Sequence, residues 1–205
     1  GVDGIVHAAA KVSVSGDWED YERTNVVGTQ ALLDAAIERS ISKFLYVSSP
    51  SVAHAGTALI GEGNGVASPE HARGNYARSK ATAELAVLAA NGTKLASGST
   101  LRVGALRPHL IWGPGDTQLV ERILDRAQSG RLPLLSGGTG LIDTLYIDNA
   151  ADALVRGYER LESIAGLALV VTNGQPRTIA ELLSGFCTAV GVPAPRFSVP
   201  APTAA

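Results

Sequence analysis

The chain sets 17 Lys and Arg against 19 Asp and Glu in 205 residues, with 45% hydrophobic side chains, one Cys and no Met. So apolar a chain offsets its ordering entropy and folds, and a net charge of −2 argues against a surface built for nucleic acid or another polyanion. The single Cys187 excludes a disulfide framework, and no apolar run reaches the ~18 residues that span a bilayer.

Taken in order, the periodicity alternates between short apolar runs and helical stripes, the pattern of an α/β domain. Gly4 to Ala9 reads as a buried strand, and Asp17 to about Arg39 as a helix ending in the helix-favouring Ala31–Ile37. Lys43–Val47 is the next strand, followed by a long Gly-rich loop from Pro50 to about Arg73. A helix over 74–91 ends at Asn91-Gly92, and a strand from Thr100 to Leu106 leads into Arg107-Pro108 and the turn Gly113-Pro114-Gly115. A helix covers Leu119 to Gln128, and Ser136–Gly140 carries a glycine hairpin signal before the strand Asp143–Ile147. Asp148 is placed to cap a helix over Asn149–Arg160. A strand at Leu167–Thr172 and a helix from Thr178 follow, Thr178 and Glu181 having capping-box spacing. The start, Gly1-Val2-Asp3, and the tail Val199-Pro200-Ala201-Pro202 suggest a portion of something longer.

Strands separated by such helices require a parallel sheet, whose ligands sit at the carboxyl ends of the strands. Three such ends carry polar or conformationally special residues: His7-Ala8-Ala9, Ser48-Ser49-Pro50 and Arg107-Pro108-His109. Tyr76 and Lys80, at i and i+4, share one helix face. A fixed ammonium near a phenol lowers its pKa and fits it for general acid/base work, with Ser48 or Ser49 as a hydroxyl beside a carbonyl oxygen. Alone, the same pair describes a solvated helix face; the order of strand, Ser-Ser, long loop, Tyr-x-x-x-Lys helix and Arg-Pro strand gives it meaning.

In that order the chain resembles the extended short-chain dehydrogenase/reductase superfamily, and within it the 3β-hydroxysteroid dehydrogenase branch. The resemblance is carried by His7–Ala10, Gly16–Tyr21, Thr24–Thr29, Tyr46–Ser49, Tyr76–Lys80, Leu106–Gly115 and Asp143–Asp148. It implies a partial Rossmann-like, doubly wound parallel sheet with a small C-terminal substrate-binding portion. The core would be about 1–112 and the substrate portion about 113–205, with elements returning to the core. It implies Tyr76 as acid/base, Lys80 as the residue that holds the nicotinamide ribose and tunes the phenol, and Ser49 as the carbonyl-orienting hydroxyl. The cofactor, NAD or NADP, would meet His7, Ala8, Ala9, Asn25, Val47, Ser48, Pro108, His109, Leu110 and Ile111; Ser49, His109 and Trp112 would line the substrate.

Where nucleotide-sugar enzymes of the superfamily carry an Asn and an Arg, this chain has Leu110 and Ile142, which favours a lipid-like alcohol or ketone over a diphosphate. The superfamily's phosphate-binding Gly-rich turn has no counterpart here: Gly61–Gly65 and Gly137–Gly140 lack the strand–turn–helix context. Two rival readings follow, a nucleotide-sugar epimerase or dehydratase and a non-catalytic binding module. The resemblance further implies a cytoplasmic homodimer packed through helices 17–39 and 74–91. Cys187 reads as a buried inert thiol, and the four His show no metal-ligand spacing.

Overall fold

The computed structural model describes residues 1–12, 15–53 and 64–200. Part of the expected loop between Pro50 and Arg73, with Gly61–Gly63, and the tail residues Ala201 and Pro202 lie outside them. The chain divides into two compact units, one formed by Gly1–His109 with Ala150–Val171, the other by Leu110–Asn149 with the residues from Thr172 onward. No helix among the described residues is long and apolar enough to cross a membrane.

In the first unit, β1 (Ile5–His7) is followed by a continuous helical run: α1 (Trp18–Tyr21), a π-helical stretch (Glu22–Val27) and α2 (Gly28–Glu38). The expected helix over 17–39 forms as one run, with a π-helical stretch in its middle. Then come β2 (Lys43–Val47), α3 (Gly74–Ala89) and β3 (Arg102–Pro108). The sheet has the order β1-β2-β3 plus one later strand, all parallel. Alternation along β2 fixes the two layers. Phe44 and Tyr46 pack with Leu33 and Ala36 of α2 and with Ala83 and Val87 of α3. Leu45 points to the other face, where it meets Leu106 and Leu161. The sheet is covered on both sides, as a doubly wound α/β fold requires.

The second unit holds β4 (Leu110–Trp112), α4 (Val120–Gln128), β5 (Leu134–Leu135), β6 (Leu141–Ile142) and β7 (Thr144–Tyr146). Next in the chain, α5 (Ile147–Glu159) and β8 (Ala168–Val171) belong mainly to the first unit, where β8 completes the sheet beside β3. β9 (Arg177–Thr178), α6 (Ile179–Ala189) and β10 (Ser198–Val199) close the second.

Two local expectations are corrected. The glycines at 136–140 make no hairpin: β5 pairs with β10 and β6 with β9, so the positive φ of Gly137 and Gly138 serves a 3-10 turn between strands that do not meet. Asp148 does not cap α5, which begins one residue earlier at Ile147 and holds Asp148 in its first turn. The capping box of α6 forms as its spacing requires: Thr178 Oγ1 accepts from Glu181 N, and Glu181 accepts from Thr178 N.

Candidate active site

At the carboxyl ends of β1 and β2 the first unit gathers a buried polar cluster. Lys80 is only 2% exposed. Its Nζ donates to the Val47 carbonyl at 2.6 Å and lies 4.0 Å from the centre of the Tyr46 ring. Burial lowers its pKa to about 8, against the upward pull of Glu84 one turn further along α3. The ammonium also depresses His7, whose burial is the larger cause.

Tyr76 shares its face with Lys80, but its phenol is held above its ordinary value by burial, and the neighbour that pulls it down is Ser49. The expected depression by Lys80 is therefore corrected: its ammonium bonds the Val47 backbone carbonyl. Ser49 Oγ bonds the Ser51 hydroxyl at 2.9 Å, and of the two serines after β2 it is the one whose hydroxyl favours the phenolate. Ser48 is different. Its Oγ is buried and, like the Tyr46 hydroxyl, finds no hydrogen-bond partner among the described residues.

Asn25, 1% exposed, ties three segments together. Its Oδ1 accepts from Lys11 N at 2.7 Å, and its Nδ2 donates to Lys11 O and to Ser79 Oγ of α3. Ser79 in turn donates to the Tyr76 carbonyl. The Asn25 carbonyl, within the π-helical stretch, takes the Thr29 hydroxyl at 2.6 Å. Thr29 Oγ1, with its proton committed there, accepts from His7 Nε2 at 2.8 Å. His7 thus helps brace the strand end, while Ala8 and Ala9 beyond it are exposed and small.

Reading the sequence alone misses the buried pair beneath this cluster. Arg107 (1% exposed) grips Glu84 (0%) through two bonds of 2.9 and 2.5 Å and also donates to the Asn64 and Gly65 carbonyls. The signal was available: Glu84 follows Tyr76 and Lys80 at successive turns of α3, a charge on a face otherwise built from Ala81, Ala83 and Val87. The Asn64 side chain bonds Ala168 O and Val170 N and so occupies the outer edge of β8.

Pro108 ends β3, and His109 N donates to Val171 O. In the second unit Leu110 and Ile111 of β4 are exposed, and Trp112 is held by Tyr146, by Phe186 and by a bond from Nε1 to Thr144 Oγ1 at 3.0 Å. Trp112 and Ile111 line a cleft of about 280 Å³. Cys187 is fully buried, and burial raises its thiol pKa. Among the described residues no His, Cys, Asp and Glu group could hold a metal ion.

The sequence pattern of the 3-beta hydroxysteroid dehydrogenase/isomerase family matches residues 1–200. The chain is 42% identical over 199 residues to a 2-alkyl-3-oxoalkanoate reductase of Stenotrophomonas maltophilia (strain K279a), covering 94% of this chain and 58% of the relative. It is 30% identical over 207 residues to the sterol-4-alpha-carboxylate 3-dehydrogenase, decarboxylating, of Mus musculus, covering 98% and 55%. The chain therefore spans somewhat more than half the length of these curated relatives. Among solved structures, a UDP-glucuronic acid 4-epimerase from Bacillus cereus in complex with NAD superposes with a TM-score of 0.78 at 21% identity, over 97% of this chain and 63% of that one. RMD from Pseudomonas aeruginosa, complexed with NADPH, gives 0.71 at 26%, over 97% and 69%.

Proposed function

Because the chain belongs to the 3-beta hydroxysteroid dehydrogenase/isomerase family, we propose that it forms part of an NAD(P)-dependent oxidoreductase interconverting a secondary alcohol and a ketone on a lipid-like substrate. The observation that carries the reading is the Tyr76 phenol, half-buried on the same helix face as a buried Lys80, with Ser49 as the neighbour that draws its pKa down. Both relatives are named for substrates with a carboxylate on the carbon next to the oxidised or reduced one. The proposed substrate is accordingly a 3-oxo or 3-hydroxy acid with an alkyl or sterol body.

The residues present fit the nicotinamide end of the dinucleotide. Lys80 spends one of its three N–H donors on Val47, which leaves a buried ammonium able to bond a ribose diol. The unpartnered Ser48 Oγ is a second buried group in want of a bond. Ala8 and Ala9 permit close approach, Val47, His7 and Asn25 hold the strand ends in place, and Pro108, His109, Leu110 and Ile111 are assigned to the carboxamide end. When bound, the dinucleotide supplies or accepts a hydride at the substrate carbon that bears oxygen.

In reduction Tyr76 gives its hydroxyl proton to the carbonyl oxygen, and in oxidation it takes that proton back. A phenol is protonated at neutral pH, the form that ketone reduction needs, and burial favours that form further. Ser49 donates to the same oxygen and steadies the charge that develops on it. An apolar Leu110 and Ile142, in place of an amide and a cation, support this reading over a sugar nucleotide. Assembly as a homodimer through the helical run 18–38 and α3 belongs to the proposal, since Leu85 leaves apolar surface on α3.

The test is Tyr76→Phe in the full natural chain. Turnover should fall about 10²–10⁴-fold while the dinucleotide still binds. Turnover at the parent rate would remove Tyr76 from the chemistry, and failure of the parent to bind either dinucleotide would leave the binding-module reading standing.

A further inference from the structure

Tyr76 lines a cleft of about 450 Å³ together with Tyr21, Ser51, Arg73, Gly74 and Asn75. None of its lining residues is acidic, and Arg73 is the one cation among them. Arg73 makes no ion pair or hydrogen bond among the described residues, although Glu70 lies three positions away; that carboxylate sits beside His71 instead. Arg73 immediately precedes α3 with extended backbone (φ −87°, ψ 113°), one helical turn before Tyr76. No side chain caps the first turn of α3. Gly74, at φ +85° with open space where a Cβ would stand, leaves that turn unobstructed. An exposed guanidinium with no partner among the described residues, in a cleft that it shares with Tyr76 and that no acid lines, is a setting for an anion.

We propose that Arg73 binds the carboxylate of the substrate and so makes the site selective for 3-hydroxy and 3-oxo acids over neutral alcohols and ketones. The inference rests on the reading that Tyr76 exchanges the proton at the neighbouring oxygen. A carboxylate carried on the carbon next to the reacting one stands close to that oxygen, and a cation one turn from the phenol is placed to meet it. The guanidinium would take the two carboxylate oxygens in parallel bonds, which an ester can offer only in part.

The test compares oxidation of a 2-alkyl-3-hydroxyalkanoate and of its methyl ester by the full natural chain, by Arg73→Gln and by Arg73→Lys. Calorimetric binding of the same two compounds is measured in parallel. The parent should favour the acid. Arg73→Gln should cut the acid-to-ester ratio of kcat/KM by about 10- to 100-fold, mostly through KM, and Arg73→Lys should restore part of it. An unchanged ratio in Arg73→Gln, or a parent without preference for the acid, overturns the proposal. If the parent oxidises neither compound, the proposed activity on 3-hydroxy acids falls, and preferential binding of the acid that is lost in Arg73→Gln still decides the role of Arg73.

Discussion

A lysine buried to 2% exposure is a local cost, and Lys80 makes that cost measurable. Its pKa falls from 10.5 to about 8 on folding, chiefly because burial penalises the ammonium. Between those values the unfolded chain binds the proton and the folded chain does not, so the Lys80 contribution to stability rises with pH across that window. Below about pH 8 both states are charged and the full penalty is present; above pH 10.5 it is gone. Replacing Lys80 by Met removes the penalty and leaves the Val47 carbonyl without its donor. Near pH 7 we expect Lys80→Met to be more stable by about 2 kcal/mol, the shift converted at about 1.4 kcal/mol per pKa unit less one lost hydrogen bond. At pH 10.5 the gain should vanish or reverse. Urea unfolding at the two pH values decides it: a variant less stable at both, or equally favoured at both, would show that Lys80 is not held at a lowered pKa. A stability gain at the residue that holds the proposed cofactor is the usual trade between function and stability.

Between elements, the strongest polar link in the first unit is Arg107 of β3 with Glu84 of α3, bidentate and sealed from solvent. Removing one partner of such a pair strands a buried charge. Glu84→Ala should cost about 3–5 kcal/mol in urea unfolding, whereas the double change Glu84→Met with Arg107→Leu, of similar bulk and without charge, should recover most of it. If the double variant is no more stable than Glu84→Ala, the pair is not acting as paired charge. This link also marks how far the sequence could be read. The strands β1, β2 and β3 and the helix α3 announce themselves through local apolar periodicity, and the Ser49, Tyr76 and Lys80 positions through order along the chain. The partner of Glu84 lies 23 residues away, and no local period reports that separation. The same holds for the glycines at 136–140. Their positive φ was legible as a turn, but a turn becomes a hairpin only if its flanking strands pair, and here β9 and β10 capture them. The direction of the Tyr76 shift was missed for a related reason: spacing places a lysine on the same helix face, while burial and the Val47 carbonyl, which decide the outcome, come from other elements.

Across the whole molecule, chain order and fold are interleaved. The first unit is not contiguous: its sheet needs β8 beside β3, and the face of the sheet opposite α2 and α3 needs residues 150–171. Leu45 and Leu106, at 0% and 4% exposure, are covered there by Leu161 together with Leu154, Tyr158 and Ile164. Gly157 of α5 allows the close approach, since a Cβ at that position would stand 2.9 Å from Leu106 Cδ1. A chain ending at His109 keeps every residue assigned here to proton transfer, yet leaves that face bare and β3 as an open edge. Uncovering each such leucine forfeits about 1.5–3 kcal/mol, enough with the lost strand to exhaust the margin of a small domain. We therefore expect residues 1–109 to bind ANS, to lack near-ultraviolet circular dichroism and to unfold without a sharp transition. Residues 1–171 carry both stretches of the first unit and should retain a cooperative transition. A cooperative transition in the 1–109 chain would show that the second face of the sheet contributes little. Loss of structure in the 1–171 chain would show that the first unit depends on residues beyond its own.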